Sequence, residues 1–272
     1  VAYDTPYFLH RCWHSGAGVE SASVIAGWIQ RTTERLSSKG ITDCVCAFDS
    51  PVNHRKELTA GDEWEGERYK DRPPRDPELD NQLKLVRSLI EDHGLICVSV
   101  DGYEADDILA SYAAQFDGNV VVVSADKDLR QVLSDRVIIL RDVEWLEDPT
   151  TDGHVPEYKW VSAKQHTEAT GIRPDQWVDF QTLWGDNVDG INGAVGIGEV
   201  GAKHLVSEFG TVEAAIQAAK DEDERIKPAK RRALIAFEDK LEITRKLVTL
   251  RTDLAVPEPG RIPEAVLVPV AF

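Results

Sequence analysis

The apolar positions change period along the chain. Over 19–36, Val24, Ile25, Trp28 and Ile29 fall at helical spacing. Over 78–93, Leu79, Leu83, Val86 and Ile90 do the same, and Gly94 ends the run. Shorter apolar runs predict strands: the end of one at 1–3, then 43–49, 95–100, 120–124 and 137–140, with a further helix at 105–114. Strand and helix in alternation predict an α/β fold with a parallel sheet covered on both faces. After Gly153 the pattern is mostly helical, over 160–167, 174–184, 200–209, 212–220 and 229–250. Turn residues Asp148-Pro149 and Asp152-Gly153 place a boundary within 142–156. The expected domains are 1–150 and 151–272.

One segment, 51–77, has almost no apolar pattern. It interleaves Arg55, Lys56, Arg68, Lys70, Arg72 and Arg75 with Glu57, Asp62, Glu63, Glu65, Glu67 and Asp71. A patternless insert of this length inside a compact domain is usually functional or disordered.

Composition narrows the class. The 272 residues are 42% hydrophobic and 29% charged, enough apolar material for a sizeable core. No run approaches the roughly 18 apolar residues of a membrane span. The opening Val1-Ala2-Tyr3-Asp4 shows no secretory pattern. The four cysteines, Cys12, Cys44, Cys46 and Cys97, are too few for a disulfide scaffold and lack zinc spacing, so free thiols in a reducing, cytoplasmic compartment are expected. The chain has no methionine, so the initiator was removed or trimmed away, or Val1 stands at the start codon.

The net charge of −17 argues at first against nucleic acid, itself a dense polyanion. The acids are not scattered, however. Asp4 and Asp49 end the first two strands, Glu104, Asp106 and Asp107 follow the third, and Asp126 and Asp128 follow the fourth. The carboxyl ends of parallel strands form one rim, where ligands bind. Each pair alone also reads as an N-cap and first-turn acid of a helix. Seven carboxylates at four strand ends repel one another unless protonated or bridged by cations, and all-oxygen ligation suits Mg²⁺ or Mn²⁺.

A second signal is Gly196-Ile197-Gly198-Glu199-Val200-Gly201-Ala202-Lys203, between two helical stretches and just after Gly185-Asp186 and Asp189. Glycines there let backbone N–H groups approach a phosphate, the helix N-terminus adds its dipole and Lys203 a charge. A plain glycine turn is the alternative. The segment 227–251 holds eight basic and three acidic residues, so cations are segregated despite the total.

These motifs together resemble the 5′-nuclease (flap endonuclease) family, in the bacterial and phage branch that includes the N-terminal domain of DNA polymerase I. The matching strings are Asp4 with Arg11, Phe48-Asp49, Gly102-Tyr103-Glu104-Ala105-Asp106-Asp107, Ser124-Ala125-Asp126-Lys127-Asp128-Leu129, Gly185-Asp186 with Asp189, Gly196-Ile197-Gly198, and Arg251-Thr252-Asp253-Leu254. The resemblance implies a PIN-like parallel-sheet nuclease core with a helical arch at 51–77, and a C-terminal helix-hairpin-helix (H3TH) domain. It implies two divalent cations, Mg²⁺ or Mn²⁺: Asp4, Asp49, Glu104 and Asp106 around the first, Asp126, Asp128 and Asp189 around the second, with Asp107 and Asp186 holding outer-shell waters. Arg55 and Lys70 look like basic residues at the base of the arch that steady the scissile phosphate, and Tyr69 like a residue stacking on a base. Arg11, Arg72, Gly196, Gly198, Gly201 and Lys203 are the remaining expected DNA contacts, with K⁺ at the hairpin.

The implied activity is metal-dependent 5′–3′ exonuclease or flap endonuclease cleavage of branched or 5′-ended duplex DNA in replication and repair. The implied partners are that DNA and a polymerase or other replication protein, with no membrane and a monomeric enzyme. The first motif departs from the family, reading Asp4-Thr5 where Asp-Gly is usual. That departure, with the acidic arch, motivates a rival: a structure-specific DNA-binding protein that does not cut. An RNA-cutting enzyme of PIN type is a second rival, disfavoured by the hairpin domain.

Overall fold

A computed structural model describes residues 1–61, 68–147 and 154–264; for 142–147 and 154–158 it describes the backbone alone. The acidic stretch Asp62 to Glu67 of the expected arch and the turn residues at 148–153 lie outside the described residues.

The elements in order are β1 (Ala2–Asp4), α1 (Thr5–Cys12), α2 (Ser21–Ser37), β2 (Asp43–Ala47), α3 (His54–Leu58), α4 (Pro77–Asp92), β3 (Ile96–Val98), α5 (Ala105–Gln115), β4 (Val120–Val123), β5 (Val137–Glu147) and β6 (His154–Val161). The second half contributes α6 (Ala163–Thr170), α7 (Trp177–Trp184), β7 (Gly185–Asp186), β8 (Ile191–Asn192), α8 (Glu199–Phe209), α9 (Val212–Lys220), α10 (Pro228–Phe237), α11 (Leu241–Val248) and β9 (Gly260–Arg261). The main sheet runs β3-β2-β1-β4-β5-β6, parallel except for β6, with β9 pairing antiparallel to β2.

Alternation of side chains along the strands builds two apolar layers. Tyr3, Cys44, Cys46, Val121 and Val123 face one layer, against Leu9, Ile25, Ile29, Val86 and Ile90 of α1, α2 and α4. Ala2, Val45, Ala47, Val120 and Val122 face the other, against Ile108 and Leu109 of α5 and Leu250 and Leu254. A separate core of Trp177, Phe180, Leu205, Ile216 and Leu234 holds α7 to α10 together.

The strand register aligns the chemistry. Asp4 pairs with Ala47, and Ala47 with Val98, while Tyr3 pairs with Val123, so all four strands end at one level. The order reverses between β1 and β4, and a crevice opens at such a switch.

Several expectations change. Helix α1 follows β1 directly: Asp4 caps it through Tyr7 N and Pro6 sits in its first turn. The predicted helix at 160–167 begins only at Ala163, because Trp160 and Val161 still pair with Leu140 and Ile139. Of the stretch 142–156 expected to hold a boundary, 142–147 belong to β5 and 154–156 to β6. The helix expected over 229–250 is two, broken by a 3₁₀ turn at Glu238–Lys240. Val24 points outward, 45% exposed, while Ala22 and Ala26 take the inner face of α2.

Arg55 on α3 ties three distant segments together. Its guanidinium grips Asp107 of α5 in a fork, at 2.6 and 2.7 Å, and donates to the carbonyls of Leu247 and Thr249 at 3.0 and 2.9 Å. Asp107 also accepts from Arg251 N at 2.9 Å and is fully buried. Removing one partner of a buried pair strands the other charge. Asp107→Ala should therefore lower unfolding stability by ~3–5 kcal/mol in urea titrations, whereas Lys203→Ala should change it by about 0.5 kcal/mol or less.

Candidate active site

The carboxylates meet where the sheet order reverses. Asp4 accepts from Tyr7 N at 3.1 Å and from Ser124 Oγ at 2.7 Å. Burial raises its pKa to about 7; Asp126 and Asp49 add to the rise and Ser124 opposes it. Asp49 accepts from Ala105 N at 2.9 Å and is raised chiefly by burial, then by the Glu104 charge. Asp106 is raised by burial and by Asp126 and Asp4. Its Oδ1 is buried with no hydrogen-bond partner, and a buried carboxylate oxygen left so is costly unless a cation or water meets it.

Beside this group, Asp128, Asp186 and Asp189 each place a carboxylate oxygen within 4.8 Å of the other two. Among the described residues they are the one set of three possible ligands so close. Asp128 follows β4, while Asp186 and Asp189 come from the β7–β8 hairpin that α7 delivers to the rim. Burial, then Asp126, raise Asp128 to about 7; Asp186 and Asp189 add to the rise, and Gln181 opposes it. Asp126 lies between the two groups: its charge bears on Asp4, Asp106 and Asp128, and its Oδ1 accepts from Asp128 N at 2.8 Å. Asp186, expected in an outer shell, is carried by β7 into the close trio.

Cations already sit on part of this charge. Lys70 Nζ meets Glu104 at 2.5 Å and Asp189 at 3.6 Å, and Tyr69 donates its hydroxyl to Glu104 at 2.7 Å. Burial alone would raise Glu104, but Lys70, Arg55 and Tyr69 outweigh it and hold its pKa low. Arg72 pairs with Asp189 at 2.7 Å, and Lys127 with Asp186 at 2.7 Å. Lys70 adopts a positive φ of 46° and its N–H donates to the carbonyl of Asp189 at 2.9 Å, pinning the base of the 51–77 segment to the hairpin.

The geometry corrects four expected roles. Every N–H of Arg55 is taken by Asp107, Glu104 or a carbonyl, so it has no donor for a phosphate. Asp107 is spent on Arg55, Arg251 N and Glu104 N, so it has no lone pair for a metal or its waters. Tyr69 is 4% exposed and packs with Ile191, Leu247 and Val248, so it does not stack on a base. Gly201 is buried in α8, where a Cβ would lie 3.1 Å from Lys230 Nζ and 3.4 Å from Ile197, so it faces the protein and not solvent.

The other expected DNA contacts face solvent. Gly196, at φ +90°, and Gly198 are exposed before α8, flanked by Val195 and Val200 at 87% and 82% exposure. Lys203 is part-exposed and pairs with Glu199 at 2.8 Å. Arg11 is exposed near the end of α1. The basic 227–251 segment spends some of its charge internally, since Arg245 pairs with Asp179 and Glu213 and Lys246 with Glu242.

Two contacts escape the sequence reading. Lys127 stands inside the Ser124 to Leu129 string, a visible cation among acids. Gln181 of α7 is 1% exposed and donates to Asp128 at 2.5 Å, a contact no sequence pattern announces.

Comparison with known proteins agrees with this architecture. The family model described as the 5′-3′ exonuclease, N-terminal resolvase-like domain, matches residues 2–165, and that of the 5′-3′ exonuclease C-terminal SAM fold matches 172–262. The thermostable DNA polymerase I of Thermus aquaticus is 33% identical over 261 residues, 92% of this chain and 28% of that protein. The corresponding enzyme of a Thermus thermophilus strain is 37% identical over 243 residues, 86% of this chain and 26% of that protein. The chain thus spans roughly a quarter of the length of these relatives. A solved structure of bacteriophage T5 5′-exonuclease with bound zinc ions superposes with a TM-score of 0.70 at 22% identity, covering 92% of this chain and 89% of that one. Both family models and the relatives above 30% identity lead to one assignment: the chain belongs to the 5′-3′ exonuclease family.

Proposed function

We propose that the protein is a divalent-metal-dependent nuclease that hydrolyses phosphodiester bonds in DNA with a single-stranded 5′ end or flap. The observation that carries this reading is the convergence of carboxylates at the strand switch, with Asp106 Oδ1 unpartnered and Asp128, Asp186 and Asp189 within 4.8 Å of one another. The donor set is all oxygen, and burial, then neighbouring carboxylates, raise the pKa of several members, which suits a hard dication such as Mg²⁺ or Mn²⁺. Asp4, Asp49, Glu104 and Asp106 would hold one cation; Asp126, Asp128, Asp186 and Asp189 would hold the other. When bound, such a pair acidifies water and neutralises charge on the attacking and leaving oxygens.

The chain's own residues do the rest. Tyr69 and Lys70 fix Glu104, and Ser124 fixes Asp4, so the carboxylates are oriented before substrate arrives. Lys70, Lys127 and Arg72 keep side-chain exposures of 22%, 31% and 55%, so they are cations able to turn donors toward a phosphate at the rim. Exposed Gly196 and Gly198 support a duplex grip at the N-terminus of α8, with a K⁺ ion at the hairpin. Arg55 and Lys70, in the described parts of the 51–77 segment, both meet Glu104 at the rim, and the segment is proposed as the arch that takes the single strand. The proposed nuclease core runs through β6, which pairs with β5 in the main sheet, so the proposed duplex grip begins later than the expected 151. A polymerase or other replication protein is the proposed partner, and the cytoplasm the proposed compartment; among the described residues no helix is long and apolar enough to cross a membrane.

With a 5′-labelled flap duplex and Mg²⁺, the wild-type chain should release short 5′ products and EDTA should abolish them. Asp106→Asn should slow cleavage more than ~100-fold; unchanged cleavage by this variant, or cleavage in EDTA, would refute the assignment.

The raised pKa values of Asp4 and Asp128, about 7 each, set a pH dependence. The folded state binds these protons more tightly than the unfolded chain does, so without metal stability falls as pH rises from about 4 to about 7. Melting in EDTA should therefore occur at lower temperature at pH 8 than at pH 5.5, and Mg²⁺ should raise the melting temperature more at pH 8.

A further inference from the structure

Asp128 differs from its two close neighbours. Asp186 is paired with Lys127, and Asp189 with Arg72 and Lys70. Asp128 has no ion pair among the described residues, and the charges that bear on it from Asp126, Asp186 and Asp189 are all negative. Its side-chain contact is neutral: Gln181 Nε2 donates to Asp128 Oδ1 at 2.5 Å. The other end of that amide, Gln181 Oε1, is buried and has no hydrogen-bond partner. A buried amide satisfied at one end and bare at the other is rare without a water or ligand to complete it.

The position of Gln181 matters as much as its bond. It lies on α7 (Trp177–Trp184), and the chain runs straight from that helix into β7, which carries Asp186 of the trio. Asp128 comes from the sheet and the other two members from the hairpin, and Gln181 joins the two halves.

We propose that Gln181 is a positioning residue for the second cation: its Nε2 fixes the carboxylate of Asp128, and its Oε1 accepts a hydrogen bond from water in the cation's hydration shell. Mg²⁺ and Mn²⁺ keep several waters when bound by carboxylates, and those waters need acceptors. A neutral amide serves both needs. A cation there would compete with the metal, and a carboxylate would repel Asp128. Partners one shell out from a metal typically contribute ten- to a hundredfold to its affinity. This inference rests on the two-cation reading above.

The test uses the whole chain and Mn²⁺ alone, titrated with free Mn²⁺ followed by electron paramagnetic resonance. The wild type should bind two ions. Gln181→Met, close in length and volume, should still bind one ion as tightly as wild type and bind the other about ten- to a hundredfold more weakly. A merely structural role would lower the melting temperature in EDTA and weaken both ions alike, and would overturn the proposal. Unchanged affinity at both sites would overturn it too. Failure of the wild type to bind any Mn²⁺ would instead defeat the metal reading on which it stands. If Gln181→Met does not fold, the wild type decides. The Gln181 side-chain amide resonances should shift on adding Mg²⁺, and resonances that stay in place would contradict the proposal.

Discussion

The structure is governed by mutual repulsion among carboxylates. The sheet register brings Asp4, Asp49, Glu104, Asp106, Asp126 and Asp128 to one rim, and the hairpin adds Asp186 and Asp189. Like charges gathered in a half-buried crevice oppose folding. Each remedy on the molecule can be named: Ser124 and backbone N–H groups for Asp4 and Asp49, Lys70 and Tyr69 for Glu104, Arg72 for Asp189, Lys127 for Asp186 and Gln181 for Asp128. Asp106 Oδ1 has none. The molecule therefore reads as an acidic crevice partly neutralised by its own residues.

Two kinds of basic residue follow from this. Arg55 is a structural tie, closed around Asp107 and the backbone near Leu247 and Thr249, and it holds the start of the 51–77 segment against the core. Lys70 and Arg72 lie on the rim, paired with carboxylates yet open to solvent. Helix α7 works in a similar way between the two halves, since it delivers Asp186 and, one turn earlier, Gln181. Core, hairpin and segment base thus share one network of hydrogen bonds and ion pairs.

Much of this is legible in the sequence. The apolar runs that form β2 and β4, the helical stripe of α4 with its Gly94 stop, and acids at successive strand ends follow from side-chain geometry alone. The readings that fail depend on contacts between distant residues. An arginine in a patternless segment reads as a phosphate contact until a buried aspartate 52 positions away is seen to claim it. Tyr69 beside Lys70 reads as a stacking platform, but its burial comes from Ile191 and Leu247, far along the chain. The capping aspartate and Pro6 of α1 are local signals of a helix start, masked by Asp4 also ending a strand. Gln181 gives no signal, because a glutamine inside an amphipathic helix looks like any polar residue until its partner is located.

The most direct measurement is anomalous diffraction from crystals soaked in Mn²⁺. The account predicts two peaks at the rim, one among Asp4, Asp49, Glu104 and Asp106, the other among Asp126, Asp128, Asp186 and Asp189. Featureless density there, with Mn²⁺ bound elsewhere or not at all, would contradict it.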